Sequence, residues 1–376
     1  MGEWKECTLG DAITLQRGHD LPKRKMMNGS IPVAGSNGII GYHNKATTNA
    51  PGITIGRSGN LGNAYFFKED FWAHNTTLYV KDFKGNNELF IYYFLKTFDF
   101  KQFNVGSAVP TLNRNHIHPL NVILPPLPEQ KAIASALSSL DDKIDLLHRQ
   151  NKTLEAIAET LFRQWFVKEA REEWETKISE LPIEIIDGDR GKNYPKNSEL
   201  LDVGDCLFLS AKNVTTNGFT FNQCQFITAE KDALLRSGKL NRKDIVVTTR
   251  GTVGNIAYYN NLIFYTDIRI NSGMIIIRTV SSIVDPIFIF CLIRSDYFKC
   301  LIENQISGSA QPQLPIRDFK QIDVYYPPRE KIDEFLVFAK PCLNKKFCND
   351  SQIATLEKMR DMLLPKLISG EIRVEY

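Results

Sequence analysis

The side chains best suited to recognise a ligand stand beside glycines. Arg57-Ser58-Gly59-Asn60 and Arg250-Gly251-Thr252 each set a guanidinium next to hydroxyl or amide groups, on turns whose backbone can approach a phosphate or a base edge. Arginine is the commonest reader of guanine, so base reading and a supporting structural role both stand for Arg57 and Arg250. Gly62 and Gly254 read as residues that permit tight turns between strands. Lys23-Arg24-Lys25 and the pair Arg190 and Lys192 offer salt-dependent phosphate contacts, or are simply solvated charge. Ser107 and Thr111 in segment 106–112, and Ser309, Gln311 and Gln313 in segment 308–314, either face nucleic acid or form the joint to the helix that follows.

Catalytic patterns are missing. The chain has no G-x-x-x-x-G-K-[ST], and 188–192 has the wrong spacing for a phosphate-binding loop. Gly56-Arg57-Ser58-Gly59-Asn60 fails the nucleophile elbow at its last position. Neither double proline, Pro125-Pro126 or Pro327-Pro328, follows the Asn or Asp that an amino-methyltransferase loop requires. His116 and His118, on a loop before Pro119, read as solvent-facing polar residues rather than a metal pair. Seven cysteines without a C-x-x-C read as reduced thiols. No catalytic, cofactor or metal site is expected, and a membrane location is excluded because the longest apolar runs fall far short of a bilayer span.

These segments recur in order along the chain, and the recurrence organises it. Gly59-Asn60-Leu61-Gly62-Asn63-Ala64-Tyr65 returns as Gly251-Thr252-Val253-Gly254-Asn255-Ile256-Ala257-Tyr258, each preceded by an arginine. Segment 90–97 returns as 288–295, 106–112 as 308–314, Pro125-Pro126 as Pro327-Pro328, and Thr153-Leu154-Glu155 as Thr355-Leu356-Glu357. The chain therefore reads as a unit of roughly 200 residues, duplicated. With 376 residues, 43% hydrophobic and 24% charged, it has the composition of an ordered globular protein, and its net charge of +3 neither favours nor excludes nucleic acid. Charge is uneven: 172–189 holds seven acidic residues against one lysine.

Each unit begins with short β-branched or aromatic segments bounded by Gly and Asn, among them 52–67, 76–81, 244–259 and 274–279, which read as strands of an α+β domain. After the prolines the period turns helical. Ile133, Leu137, Leu140, Ile144, Leu147, Asn151, Leu154, Ala158, Leu161 and Trp165 alternate steps of four and three, a heptad seam in which Asn151 sets register. Segment 132–166 has no Pro or Gly and predicts about 52 Å of helix at 1.5 Å per residue. A weaker seam follows through Ile332, Phe335, Ala339, Ile353, Leu356, Leu363 and Leu367, which Pro341 and Pro365 should kink or end. The two amphipathic helices would bury their seams on each other. The expected architecture is two tandem α+β domains, separated and joined by two long antiparallel coiled-coil helices, with a pseudo-twofold internal repeat: 1–126, first domain; 127–171, first helix; 172–327, second domain; 328–376, second helix and tail.

The opening Trp4-Lys5-Glu6-Cys7-Thr8-Leu9-Gly10-Asp11, the helix start Leu124-Pro125-Pro126-Leu127-Pro128-Glu129-Gln130-Lys131, the run 140–145 and the ending 364–372 together resemble the specificity subunit of type I DNA restriction-modification systems. The resemblance spans essentially the whole chain. One departure is Tyr326-Pro327-Pro328-Arg329-Glu330-Lys331-Ile332, which lacks the Leu-Pro-Glu-Gln form of the first helix start. The resemblance implies a non-catalytic cytoplasmic reader, each α+β domain a target recognition domain for half of a bipartite duplex DNA sequence. It also implies helices that dock two methyltransferase subunits carrying S-adenosylmethionine, and restriction subunits that use ATP and Mg. The alternatives are a stand-alone DNA methyltransferase or nuclease, and a coiled-coil scaffold that does not bind DNA.

Overall fold

The computed structural model describes residues 3–106, 109–280, 282–306 and 312–375. Two compact units share the chain: Met1–Asp145 with Ala354–Tyr376, and Leu146–Ile353. Each is an α+β domain together with a portion of both long helices.

In the first unit an antiparallel ribbon, Lys5–Thr8 on Asn121–Leu124, brings the ends of the domain together. A four-stranded antiparallel sheet runs in the order Thr14–Arg17, Thr77–Asp82, Gly52–Gly56, Ala64–Phe67. A second sheet pairs Ile31–Gly35 with Gly38–His43 and, in parallel, with Trp72–Ala73. Helix Glu88–Lys96 starts at an Asn87 cap whose side chain accepts from the Phe90 N–H, and it buries Phe90, Ile91, Tyr93, Phe94 and Leu95. These join Ile53, Ile55, Leu78 and Val80 of the sheet and Ile133, Leu137, Leu364 and Leu367 of the long helices in one core.

The second unit repeats this plan. The ribbon is Glu175–Lys177 on Asp323–Tyr325, and the sheet runs Ile183–Asp187, Met274–Thr279, Ile245–Thr248, Ile256–Tyr258. The parallel pair is Cys206–Leu209 with Ile268–Ile270. The buried helix is Pro286–Arg294, with Asp285 as cap and Pro at its first position, where no N–H is needed. The duplication read from the sequence thus extends to strand order, strand direction and cap position.

The first long helix, Leu127–Arg163, continues as a π-helical turn at Gln164–Lys168. It begins at Leu127, with Pro128 inside the first turn, five residues ahead of the stretch free of Pro and Gly. Of its seam, Ile133, Leu137, Ile144, Leu147, Asn151 and Ala158 are buried, and Leu140, Leu154, Leu161 and Trp165 half-buried, all on one face. The second, Arg329–Ser369, passes through both Pro341 and Pro365. Neither ends it, so of the two expected outcomes, a kink or an end, the end is excluded. Both prolines lie on the solvent face, as do Val337 and Asp361, whose carbonyls lose their partners and can turn to water. Ile332, Phe335, Ala339, Ile353 and Leu367 are buried, and Leu356 and Leu363 half-buried.

Within each unit the helix portions run antiparallel. In the first, Glu129 grips Arg373 of the tail and Asp141 grips Arg360. In the second, Asn151 Nδ2 donates to Asp350 Oδ1 at 2.8 Å and Asn349 Nδ2 to Asn151 Oδ1 at 2.9 Å, making Asn151 part of a buried polar layer. Further along, Phe162 and Phe166 pack on Phe335 at 5.9 and 5.2 Å between ring centroids. Both units also hold an arginine over a tryptophan: Arg373 on Trp4 at 5.3 Å and Arg171 on Trp174 at 5.5 Å.

Gln130 explains the motif at the first helix start. Buried, it accepts from the Asn87 N–H at 2.9 Å and donates to Asn86 Oδ1 and Pro125 O, tying the cap of the short helix to the long one. The matching Ile332 is buried in apolar surroundings instead. The second copy joins domain to helix at this position by packing, with Arg329 donating to Ser282 O and Ile283 O at 3.4 and 3.3 Å and Lys340 pairing with the Asp285 cap, so it needs no Leu-Pro-Glu-Gln.

Candidate DNA interface

In the first unit the segment after strand Gly52–Gly56 is held by three backbone systems. The N–H groups of Arg57 and Ser58 both donate to Thr76 O at 2.8 and 3.1 Å, Leu112 N–H donates to Arg57 O at 2.8 Å, and Gly59 N–H donates to Pro110 O at 3.0 Å. Ser58 therefore bridges to Thr111 across the segment that precedes the long helix. Gly59 and Gly62 take φ of +84° and +81°, and a Cβ on Gly62 would stand 2.7 Å from Phe100 Cβ. Arg57, Ser58, Asn60 and Thr111 are thus brought to one place, with Asn60 exposed and the other three partly so. The Arg57 guanidinium donates to Asn75 O at 3.3 Å. Burial, and then the neighbouring Arg17 charge, pull its pKa below the usual arginine value. Ser107 lies outside the described residues.

The second unit has the same scaffold and a different register of side chains. Thr249 and Arg250 N–H groups donate to Gly273 O at 2.8 and 3.2 Å, Leu314 N–H donates to Thr249 O at 2.9 Å, and Arg250 bridges to Gln313. By these bonds Thr249 matches Arg57, and Arg250 matches Ser58. The two turn arginines, paired in the sequence because each precedes a glycine, hold different positions of the framework. Gly251 and Gly254, at φ of +75° and +87°, match Gly59 and Gly62. Arg250 and Thr252 are exposed. Ser309 and Gln311 lie outside the described residues.

The basic clusters differ in setting. Lys23–Lys25 forms an exposed 3-10 turn that packs through Met26 on Gly41 of the neighbouring hairpin. Arg190 lies against the interface loop, donating to Ser272 O at 3.2 Å and pairing with Asp187 Oδ1 at 3.2 Å, while Lys192 is exposed two residues on. Between Asp187 and Arg190, buried Asp189 accepts from the Gly191 and Arg236 N–H groups at 2.6 and 2.7 Å. Burial alone would raise its pKa, but these donors hold it below the usual carboxylate range. Sequence reasoning missed Arg17, Asp20, Asn75 and Ser272. His118 is a strut, its Nε2 accepting from Leu15 N–H at 3.1 Å, whereas His116 is exposed. Among the described residues no cluster of His, Cys, Asp or Glu could hold a metal, no helix is long and apolar enough to cross a membrane, and all seven cysteines are free thiols.

Two copies of one framework each present guanidinium, hydroxyl and amide groups from glycine turns. The family model described as "Type I restriction modification DNA specificity domain" matches residues 1–156 and again 172–336. The chain belongs to this family, the non-catalytic specificity subunits of type I restriction-modification systems. It is 28% identical over 309 residues to the type I restriction enzyme MjaIX specificity subunit of Methanocaldococcus jannaschii, covering 76% of this chain and 69% of that one. It is 23% identical to the HindI specificity subunit of Haemophilus influenzae, covering 71% and 72%. The fold matches the crystal structure of a type I S subunit from M. genitalium with a TM-score of 0.63, at 18% identity, over 97% of this chain and 96% of that one.

Proposed function

We propose that this subunit reads a bipartite duplex DNA target, one half-site for each recognition domain, 1–126 and 172–327. The spacer segments 127–171 and 328–376 carry the domains and dock two methyltransferase subunits, which restriction subunits then join. S-adenosylmethionine, ATP and Mg belong to those partners, and the complex works in the cytoplasm. The observation that supports this reading is a duplicated backbone whose side chains differ at matched positions, Ser58 against Arg250 and Asn60 against Thr252, as two different half-sites require.

The contacts assigned to DNA are Arg57, Ser58, Asn60 and Thr111 in the first domain and Arg190, Lys192, Arg250, Thr252 and Gln313 in the second, with Lys23, Arg24 and Lys25 as phosphate contacts. Replacing 172–325 with a different second domain should alter one half of the methylated sequence and leave the other intact. Methylome sequencing of a host carrying the complex reads this directly. Alteration of both halves would contradict the division of labour.

A further inference from the structure

Equivalent contacts match one more pair of segments, Arg17-Gly18-His19-Asp20 and Asp187-Gly188-Asp189-Arg190. Each leaves the first strand of its four-stranded sheet, Thr14–Arg17 or Ile183–Asp187. Each presses its glycine onto the same loop: a Cβ on Gly18 would lie 2.2 Å from His74 O, and one on Gly188 2.1 Å from Asn271 O. No side chain fits there, so the chain path is fixed in both copies. These loops are also the ones that anchor the interface turns through Thr76 O and Gly273 O.

Around this fixed glycine the charges are inverted. Arg17 and Asp20 approach to 3.6 Å with side chains 54% and 71% exposed, and Arg190 and Asp187 to 3.2 Å with side chains 46% and 34% exposed. Asp20 also accepts from the Asn75 side chain and Arg190 donates to Ser272 O, but ion pairs so exposed contribute little to stability, so the pairing of charges itself gives folding little reason to keep either order. The loop itself is served alike in both copies. A guanidinium donates to the matched carbonyl, from Arg57 to Asn75 O in one and from Arg190 to Ser272 O in the other. What differs is the order of donor fork and carboxylate facing outward.

A guanidinium takes guanine O6 and N7 together, and a carboxylate accepts from the cytosine amine, so an adjacent pair of the two fits the edge of one G·C base pair. A carboxylate on a surface that meets phosphates is otherwise repelled, and its arginine neighbour offsets that repulsion. We propose that Arg17 with Asp20, and Arg190 with Asp187, are specificity-determining pairs, each reading one G·C base pair of its half-site, in opposite order in the two domains.

The inference rests on the DNA-reading function above. Its test uses the subunit assembled with its own methyltransferase subunits on a duplex library randomised in both half-sites. R17D/D20R should change the preferred base pair at a single position of the first half-site, from guanine on one strand to guanine on the other. Discrimination at that position should move by roughly ten- to a hundredfold, with the second half-site unaltered. Should the double variant fail to assemble, R17Q and D20N, which keep shape and remove charge, must each relax that same position. An unaltered motif in the variants, or a loss of methylation uniform over all sequences by an assembled complex, overturns the proposal. A wild-type complex without sequence preference would instead overturn the reading on which it rests.

Discussion

The two recognition units solve the same joining problem with different chemistry. In the first, the short buried helix is tied to the long ones by polar groups: Tyr93 Oη donates to Asp141 at 2.7 Å, Arg360 holds the other carboxylate oxygen at 2.9 Å, and Gln130 bridges the helix caps. In the second, Phe162, Phe166, Phe288 and Phe335 form an aromatic cluster, with Arg294 on Glu155 at 2.7 Å at its edge. Strand order, strand direction and glycine turns are common to both. A duplicated fold therefore keeps its backbone plan while its side-chain fastenings drift, because many sets of contacts satisfy one geometry.

The largest effect should come from the apolar fastening. Phe335 is fully buried and touches Phe162, Phe166, Phe288 and Trp165, so Phe335→Ala removes the centre of the cluster. A cost of about 3–5 kcal/mol is expected in denaturant unfolding. An unfolding transition resolved for the first unit should stay in place. A cost under about 1 kcal/mol would mean that the cluster does not hold the second unit together.

Exchanging the matched residues 130 and 332 sharpens the comparison. Gln130→Ile leaves the Asn87 N–H and the Asn86 Oδ1 without a partner in a half-buried site, at about 1–3 kcal/mol. Ile332→Gln buries an amide among apolar side chains and should cost a similar amount. If both exchanges are tolerated, the two fastenings are interchangeable and the departure at the second helix start has no structural meaning.

At the interface the expected effects concern discrimination. Arg57→Ala and Arg250→Ala should each cost about 1–3 kcal/mol and relax one position if the guanidinium reads a base. A uniform weakening across sequences marks a phosphate contact. Because Arg57 and Arg250 hold different framework positions, the two relaxed positions should not be symmetry mates in the two half-sites. Binding of the assembled complex to a randomised duplex library measures this.

Much of the fold was legible because it rests on periodicity. The heptad seam of the first helix, the strands near 52–67 and 274–279, and the repeat itself follow from spacing that any burial of one face imposes. The prolines left two outcomes open, a kink or an end, since whether a proline ends a helix depends on whether the carbonyls it orphans can reach water, and Pro341 and Pro365 both face solvent. The interface was legible only where turns carry repeated glycines. Arg17 and Asp20 were invisible because their counterpart is charge-inverted, and the one shared residue, Gly18 with Gly188, is too little text to align. Arg57 and Arg250 were mispaired for a related reason: sequence similarity marks the glycines, whereas register is set by which carbonyl each N–H reaches.

The smallest expected effect separates the two arginine clamps by pH. Arg373 over Trp4 is joined by Glu129, fully buried, which accepts from the Arg373 guanidinium at 2.8 Å and from Trp4 Nε1 at 3.3 Å. The hydrogen bond from Arg373 holds the Glu129 carboxyl below its ordinary value of 4.5. A carboxylate whose pKa is depressed on folding contributes stability that is present above the unfolded value and is lost as pH falls through the folded one. Arg171 over Trp174 has instead Glu173, at 3.3 Å, with both charged side chains about two-thirds exposed, 66% and 67%. That pair is screened by water and contributes little at any pH. Thermal unfolding of wild type and Glu129→Gln should therefore differ at pH 7 and converge as the pH drops below about 4.5, while Glu173→Gln should track wild type throughout. A Glu129→Gln difference that stays constant from pH 7 to acid would show that the clamp acts by shape rather than by charge.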